Sequence, residues 1–150
     1  MTRVSREIAE RLIAAAVSDH PEDMAGCYAD HVVIEMPFTA GLYPSRLETT
    51  REELRQRFAA SAAARRYERL ADVRIHETED PEVVIAEYSI HGHKLADGQP
   101  FVLTIAMVLT VRDGQIVHSR DYSDPVAGAR VLGRLPELLA SLAKVDQAAR

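Results

Sequence analysis

The chain has 150 residues, of which 47% are hydrophobic and 27% are charged, and its formal net charge is −5. These are the proportions of an ordinary globular protein, long enough to form one domain with a substantial core. Its apolar runs fall short of the roughly 18 residues that a membrane span needs. The mildly acidic balance is also unlike that of a nucleic-acid-binding protein. We therefore expect one domain, residues 1–150, without a membrane or nucleic-acid partner.

The N-terminal segment and the cysteine usage predict where the protein resides. Charges interrupt the first residues, MTRVSREIAERL, where a secretory signal peptide would have its apolar centre. Cys27 is the only cysteine, which excludes an internal disulfide and a cysteine-based metal site. We therefore expect a cytoplasmic protein.

The first forty residues predict two helical segments followed by a strand. Apolar residues recur at helical spacing over residues 4–17. Pro21 lies near the first position of a second, short helix, which we expect to end near Asp30. Residues 31–38 are mostly β-branched and apolar, which is typical of a strand.

A loop and a third helix follow. Residues 39–48 contain Gly41 and Pro44 and predict a loop. Thr50 and Glu53 have the spacing of a capping box, so a helix should begin there and run to about residue 66. The apolar stripe of this helix consists of Leu54, Phe58 and Ala62.

The C-terminal half changes to the period of two that marks strands. The helical tail that follows is interrupted by Gly133 and Pro136. Helices first and then a meander of strands predict an α+β fold, with a largely antiparallel sheet and helices packed on one face. The predicted strands span residues 69–77, 83–91, 101–111 and 115–123.

The strand at residues 101–111 is apolar on both faces, so we expect both faces to be buried. Its even-numbered residues are small or β-branched, and we expect them to border a cavity between the sheet and the helices. Its odd-numbered residues are large, and we expect a second subunit to cover them in a homodimer. The large set is Phe101, Leu103, Ile105, Met107 and Leu109; the small set is Val102, Thr104, Ala106, Val108 and Thr110.

The last strand carries the densest ionisable chemistry of the chain. Asp121 and His118 are three residues apart, so in a strand they point to opposite faces and cannot act as a pair. One interpretation places Asp121 at the end of an apolar cavity, where burial raises its pKa and suits it to general acid/base catalysis. The other interpretation is a surface ion pair, the ordinary environment of an aspartate.

Other candidate sites are weaker. His91 and His93 share one strand face at a spacing that can bind metal, but the sequence offers no third ligand. No glycine-rich phosphate loop or serine nucleophile elbow is present. We therefore expect neither a metal nor a cofactor. Tyr88, which shares a face with Ala86 and Ile90, is the best candidate for a hydroxyl group in a pocket.

The whole chain resembles the nuclear transport factor two-like superfamily, whose fold is a curved sheet wrapped around helices into a cone, like that of cystatin and ketosteroid isomerase. Two stretches carry a closer resemblance, to the phenazine-biosynthesis PhzA/PhzB proteins and to SnoaL-like polyketide cyclases. They are ADVRIHETEDP at residues 71–81 and RDYSDP at residues 120–125, continuing to RVLG at residues 130–133. The resemblance implies a single SnoaL-like domain.

The resemblance also implies roles for particular residues. The tyrosine, base and aspartate of ketosteroid isomerase correspond here to Leu12, Met36 and Ala106, all apolar, which argues against the steroid-isomerase mechanism. The last-strand glutamate of PhzA/PhzB proteins corresponds to Asp121, and their third-helix histidine to Arg57. In the cyclases an aspartate acts as acid/base, a role that would suit Asp121.

These observations predict a cofactor-free enzyme of specialised metabolism, such as antibiotic biosynthesis. It would cyclise, isomerise or dehydrate a polyketide-like or aromatic compound, as a lyase or an isomerase. Asp121 would move the proton, and Arg57 would stabilise an enolate or bind an acidic group. The alternative is a non-catalytic binding or scaffold protein of the same fold. The predicted substrate-binding residues are Met36, Phe38, Phe58, Tyr88, Ile90, Thr104, Ala106, Val108 and Ser119.

Overall fold

The computed structural model describes residues 3–148, with the environment of their side chains through residue 144. A 3-10 helix, Pro21–Cys27, joins the first helix to the first strand. The helices are α1 (Val4–Ala16), α2 (Arg51–Ala64), α3 (Pro125–Leu132) and α4 (Leu135–Ala148), and the strands are β1 (Tyr28–Glu35), β2 (Arg46–Thr50), β3 (Arg65–Glu77), β4 (Val83–Lys94), β5 (Pro100–Arg112) and β6 (Gln115–Ser123).

The strands form one curved, unclosed sheet in the order β2-β1-β6-β5-β4-β3. Only the β1–β6 pair is parallel among these strands, and the other neighbours are antiparallel. Helix α1 packs against β3, β4 and β5, and α2 packs against β1 and β3. The α+β architecture with a largely antiparallel sheet is therefore confirmed. No helix in the described range, residues 3–148, is long and apolar enough to cross a membrane.

The faces of β5 are the reverse of those predicted. Met107 and Leu109 are 5% and 0% exposed and join the core cluster beneath the helices, whereas Val102, on the outer face, is 50% exposed. Large apolar side chains gain the most from burial, so they face the helices. The prediction that Thr104, Ala106 and Val108 line the cavity was wrong by one residue in register. The reason given for a dimer, an uncovered odd-numbered face, was wrong as well.

A β-bulge in β6 changes which of its residues face the core. Thr110 pairs with His118, but the next residue of β5, Val111, pairs with Ile116, so Val117 is the extra residue. Such a bulge breaks the alternation of faces that a regular strand would keep. Ile116 and Ser119 are consequently both fully buried, although period-two spacing assigns them to opposite faces.

The region before α2 contains the one strand among the described elements that the sequence did not reveal. Arg46–Thr50 was predicted as part of a loop but forms β2, which pairs antiparallel with β1 at the edge of the sheet. This segment, RLETT, has a single large apolar residue and so lacks a strand pattern. The predicted capping box is confirmed: the Thr50 hydroxyl accepts a hydrogen bond from the Glu53 N–H at 3.2 Å, and the Glu53 carboxylate accepts one from the Thr50 N–H.

Candidate active site

A cavity of about 390 Å³ lies between the inner face of the sheet and the helices α1 and α2. Most of its lining is apolar, and its polar groups come from a few positions on β1, α2, β3, β4 and β6. This composition is typical of small-molecule sites. The lining residues are Leu12, Ala16, Met24, Tyr28, Met36, Arg57, Phe58, Ser61, Arg65, Tyr67, Tyr88, Ile90, Ile105, Met107, Asp121 and Ser123.

Asp121 is the acidic group of this cavity. It lies on β6 opposite Met107, with its side chain turned inward and half-buried. Burial raises the pKa of this carboxyl group, and the effect is opposed by a hydrogen bond from the Ser119 hydroxyl and by the proximity of His118. The burial effect dominates because the carboxylate lies among mostly apolar side chains, which disfavour its charged form. A raised pKa makes the carboxylate a stronger base and so better suited to accept a proton and return it.

Two tyrosines share the cavity with Asp121. Tyr28 and Tyr88 are 4% and 6% exposed. Burial raises the pKa of both phenols, and the nearby Asp121 carboxylate raises it further. Both therefore remain protonated hydrogen-bond donors at physiological pH. The Tyr88 hydroxyl donates to Met107 Sδ at 3.8 Å, a weak acceptor that a ligand oxygen could replace.

Basic groups lie at the α2–β3 end of the cavity. Arg57 and Ser61 line it from α2, and Arg65 and Tyr67 line it from the start of β3. Arg57 is exposed, whereas Arg65 is half-buried and its Nε donates a hydrogen bond to the Tyr67 hydroxyl at 3.0 Å. We call Arg57 and Arg65 the cationic end of the cavity.

A smaller pocket of about 90 Å³ also reaches Asp121. It shares Met36, Asp121 and Ser123 with the main cavity, and the loop between β1 and β2 and helix α3 complete its wall. Helix α4 contacts this loop through a hydrogen bond that Ser141 Oγ donates to the Ala40 carbonyl at 2.9 Å. Asp121 thus borders both the main cavity and this smaller pocket.

The structure brings together many, but not all, of the residues predicted for the site. Arg57 and Asp121 line the cavity together with Met36, Phe58, Tyr88 and Ile90. Phe38 is 60% exposed, lines the smaller pocket and packs edge-on against Tyr122. Ser119 is fully buried and contacts the cavity only through its hydrogen bond to Asp121. Thr104, Ala106 and Val108 lie on the outer face of the sheet.

Sequence reasoning missed several residues of the cavity. Tyr28 was assigned to a helix that ends near Asp30, but it begins β1 and is buried against Phe58, with ring centroids 6.2 Å apart. Ile105 and Met107 were placed on the dimer face through the error in β5. Arg65 was missed because it follows the end of α2 and begins β3, where helical spacing no longer determines which way a side chain points.

The histidines that share a face of β4 have neighbours on β3. His91 Nδ1 lies 3.1 Å from Arg69 Nη2, and His93 is paired with Glu68. Within the part of the chain that the structure describes, no group of three or more histidine, cysteine or acidic side chains could hold a metal ion. His118 Nε2, on the outer face of β6, lies 2.8 Å from Glu35 Oε2.

The sequence matches the SnoaL-like domain family over residues 9–119, well over half of the chain. The chain belongs to this family, within the nuclear transport factor two-like superfamily. The predicted family resemblance is therefore confirmed. An uncharacterised PhzA/B-like protein of Pseudomonas aeruginosa is 35% identical over 65 residues, which are 43% of this SnoaL-like chain and 46% of that protein. The chain spans less than half the length of the curated relatives it matches.

Solved structures agree with the fold. A Bacillus subtilis protein proposed to be an isomerase has a TM-score of 0.77 and 21% identity, over 87% of this SnoaL-like chain and 94% of its own. A Pseudomonas putida protein proposed to be a polyketide cyclase has a TM-score of 0.69 and 20% identity, over 87% and 97% of the two chains. At these identities the likeness concerns the fold alone.

Proposed function

We propose that this SnoaL-like protein is a cofactor-free acid/base enzyme acting on a polyketide-like or aromatic small molecule. The observation that carries the proposal is the position of Asp121: a carboxyl group with a raised pKa, inside a mostly apolar cavity that also holds two protonated tyrosines. The reaction class would be cyclisation, isomerisation or dehydration. The family and its cyclase- and isomerase-like structural neighbours support this class.

The chemistry would begin at a C–H bond next to a carbonyl group. Asp121 would take that proton as a general base, and the electrons of the C–H bond would move onto the carbonyl oxygen to give an enolate. Tyr28 or Tyr88 would donate a hydrogen bond to the enolate oxygen, as donors placed where charge develops do. Asp121, now protonated, would return the proton to another carbon of the enolate in an isomerisation. In a cyclisation the enolate carbon would attack a second carbonyl group of the substrate, and Asp121 would protonate the resulting alkoxide. In a dehydration Asp121 would protonate the leaving hydroxyl group, which departs as water.

Arg57 would serve this reaction by binding rather than by proton transfer. Its side chain is exposed, whereas the two tyrosines are buried and Asp121 is half-buried between the sheet and the helices. Of the two roles expected for Arg57, the geometry therefore favours contact with an acidic group of the substrate over stabilisation of an enolate beside Asp121.

A non-catalytic binder with the same fold is the rival proposal. Burying a charged group destabilises the fold unless the charge is well compensated. A protein that only binds its ligand has no need to bury such a carboxyl group. The position of Asp121 in the cavity favours the enzyme, since burial there raises its pKa, whereas a surface ion pair would leave that pKa near or below its ordinary value.

We also propose a homodimer, now through the outer face of the sheet. Ile85, Val102 and Val108 place partly exposed apolar side chains there, on the adjacent strands β4 and β5. Pairing two copies through this face would remove them from water. Sedimentation at micromolar concentration should give twice the mass of the chain, and a monomer would contradict this.

We further propose specialised metabolism, such as antibiotic biosynthesis, as the biological setting and the cytoplasm as the location.

A proton-exchange assay tests the enzyme proposal and does not depend on the identity of the natural substrate. A panel of aromatic ketones and β-dicarbonyl compounds in D₂O would be followed by NMR for deuterium uptake next to the carbonyl group. We expect the wild-type protein to accelerate uptake for part of the panel. Asp121→Asn should slow that exchange by about 10²- to 10⁴-fold, the usual contribution of general acid/base catalysis.

Two control variants separate the role of Asp121 from general effects. His118→Ala removes a titratable neighbour on the opposite face, and Asp124→Asn removes an exposed carboxylate from the cap of α3. Asp124→Asn should exchange at nearly the wild-type rate, and His118→Ala, which only modulates the pKa of Asp121, should change the rate far less than Asp121→Asn does. Equal exchange by wild type and Asp121→Asn would show that Asp121 does not transfer the proton, and a protein that accelerates no exchange would favour the binder.

A further inference from the structure

The arginines around α2 fall into two groups. Those outside the cavity pair with carboxylates: Arg51 with Asp30 at 2.8 Å, and Arg66 with Asp19 at 2.9 Å. Arg55 likewise lies 3.6 Å from Glu52.

The two arginines that line the cavity make no ion pair within the described part of the chain. Arg65 instead donates to the neutral Tyr67 hydroxyl. Oε2 of Glu53 accepts hydrogen bonds from the Thr49 hydroxyl at 2.6 Å and from the Thr50 N–H, and these bonds lower the pKa of Glu53. The charge of Arg57, four residues later on α2, also helps to lower this pKa, but the two groups form no ion pair. The guanidinium groups of Arg57 and Arg65 therefore both border the mostly apolar cavity with donors available to a ligand, since the bond to Tyr67 uses only Nε of Arg65.

Arg65, at the start of β3, is far from Asp121 along the strands. Asp121 lies at the level of Met107 and Ala86, whereas Tyr67 pairs with Gly92, six residues further along β4. Six residues of strand correspond to about 20 Å between backbone levels. A ligand that reaches both ends is therefore elongated. Its anionic group would lie at the cationic end, because a second negative charge beside Asp121 would be repelled.

We propose that the substrate is an elongated aromatic or polyketide-like acid whose carboxylate binds between Arg57 and Arg65 while its reacting carbon lies at Asp121. The position of the reacting carbon at Asp121 rests on the proposed function. The binding of the carboxylate rests on Arg57 and Arg65. Guanidinium groups bind carboxylates through paired, charge-assisted hydrogen bonds, which a neutral amide cannot reproduce. Arg57 and Arg65 would thus select an acid and fix which carbon faces Asp121.

Calorimetric titration with matched ligands tests the inference. The probes are 2-naphthoate, anthracene-2-carboxylate and 4-phenylbenzoate, each compared with its primary amide, which has the same shape and no charge. We expect at least one acid to bind about 10- to 100-fold more tightly than its amide, as charged hydrogen bonds would provide. If no acid binds more tightly than its amide, the inference is overturned.

Variants then locate the preference. Arg57→Gln and Arg65→Gln should each weaken binding of the acid by about tenfold and leave the amide unchanged. Arg65→Lys, which keeps the charge but loses the planar fork, should give an intermediate loss. The control is Arg55→Gln, on the same helix but outside the cavity, which should change neither ligand. Equal weakening by Arg55→Gln would mean that overall charge, rather than this site, selects the acid, and would overturn the inference.

The outcome is separable from that of the proposed function. Asp121→Asn should retain or increase the preference for the acid, because Asp121 lies at the other end of the cavity. If the preference is present but Asp121→Asn exchanges protons as fast as wild type, the catalytic proposal fails and the acid site stands. If exchange depends on Asp121 but acids and amides bind equally, only the acid site fails.

Discussion

Replacing Leu109 by alanine tests the packing on which the position of the cavity depends. Leu109 is 0% exposed and pairs across the sheet with Val84 and Ser119, which are also fully buried. A buried Leu→Ala change costs roughly 2–5 kcal/mol, depending on how far the surroundings collapse. Both neighbours are held by strand pairing and have small side chains, so little collapse is available. We expect a loss of about 3–4 kcal/mol in the free energy of unfolding.

Val108→Ala is the matched control, because the adjacent residue lies on the outer face and is partly exposed. Only part of the roughly 1.5–3 kcal/mol gained by burying a valine is at stake in the monomer, so the loss should be about 1 kcal/mol or less. Urea unfolding, followed by far-ultraviolet circular dichroism, measures both. Since Val108 lies on the proposed dimer face, the loss of unfolding free energy caused by Val108→Ala should vary with protein concentration. The loss caused by Leu109→Ala should not. A concentration-independent cost for Val108→Ala that equals that of Leu109→Ala would refute the assignment of faces.

Two further changes follow from the same structure. Thr50→Ala removes the capping box of α2 and should lower the unfolding free energy by about 0.5–2 kcal/mol in urea, with Ser45→Ala as an exposed comparison. Asp121→Asn should stabilise the protein at pH 7 by about 0.5–2 kcal/mol, as removal of a costly functional group commonly does. Because the folded state raises the pKa of Asp121, its contribution is most favourable in acid and is lost as the pH rises through that pKa, so the advantage of asparagine should shrink below about pH 4. A constant or inverted difference across that range, measured by thermal unfolding, would contradict the burial of Asp121.

The fold was predictable because its signals are local and repeated. Helical spacing, the capping box at Thr50 and long alternating strands each determine an element independently of the rest. β2 was not predictable, because an edge strand with one large apolar residue depends on its partner β1 rather than on its own pattern. The faces of β5 were also ambiguous, since every residue from Phe101 to Val111 is uncharged and either face could be buried.

The site was predictable only in part, for a related reason. Asp121 stood out because an ionisable residue on a core strand is unusual, and the family resemblance directed it inward. The β-bulge at Val117 is set by pairing with β5 and leaves no pattern in the sequence. Tyr28 and Arg65 lie at boundaries between elements, where local rules are weakest. Their positions depend on where a helix gives way to a strand.

The most direct test of the central claim is the pKa of the Asp121 carboxyl group itself. The ¹³C resonance of this carboxyl can be assigned by its absence from Asp121→Asn and titrated by NMR in the ligand-free protein. Burial in the cavity predicts a pKa above the ordinary aspartate value of about 3.9. A measured pKa at or below that ordinary value would show a solvated or ion-paired carboxylate and would contradict the role of Asp121 as the acid/base group.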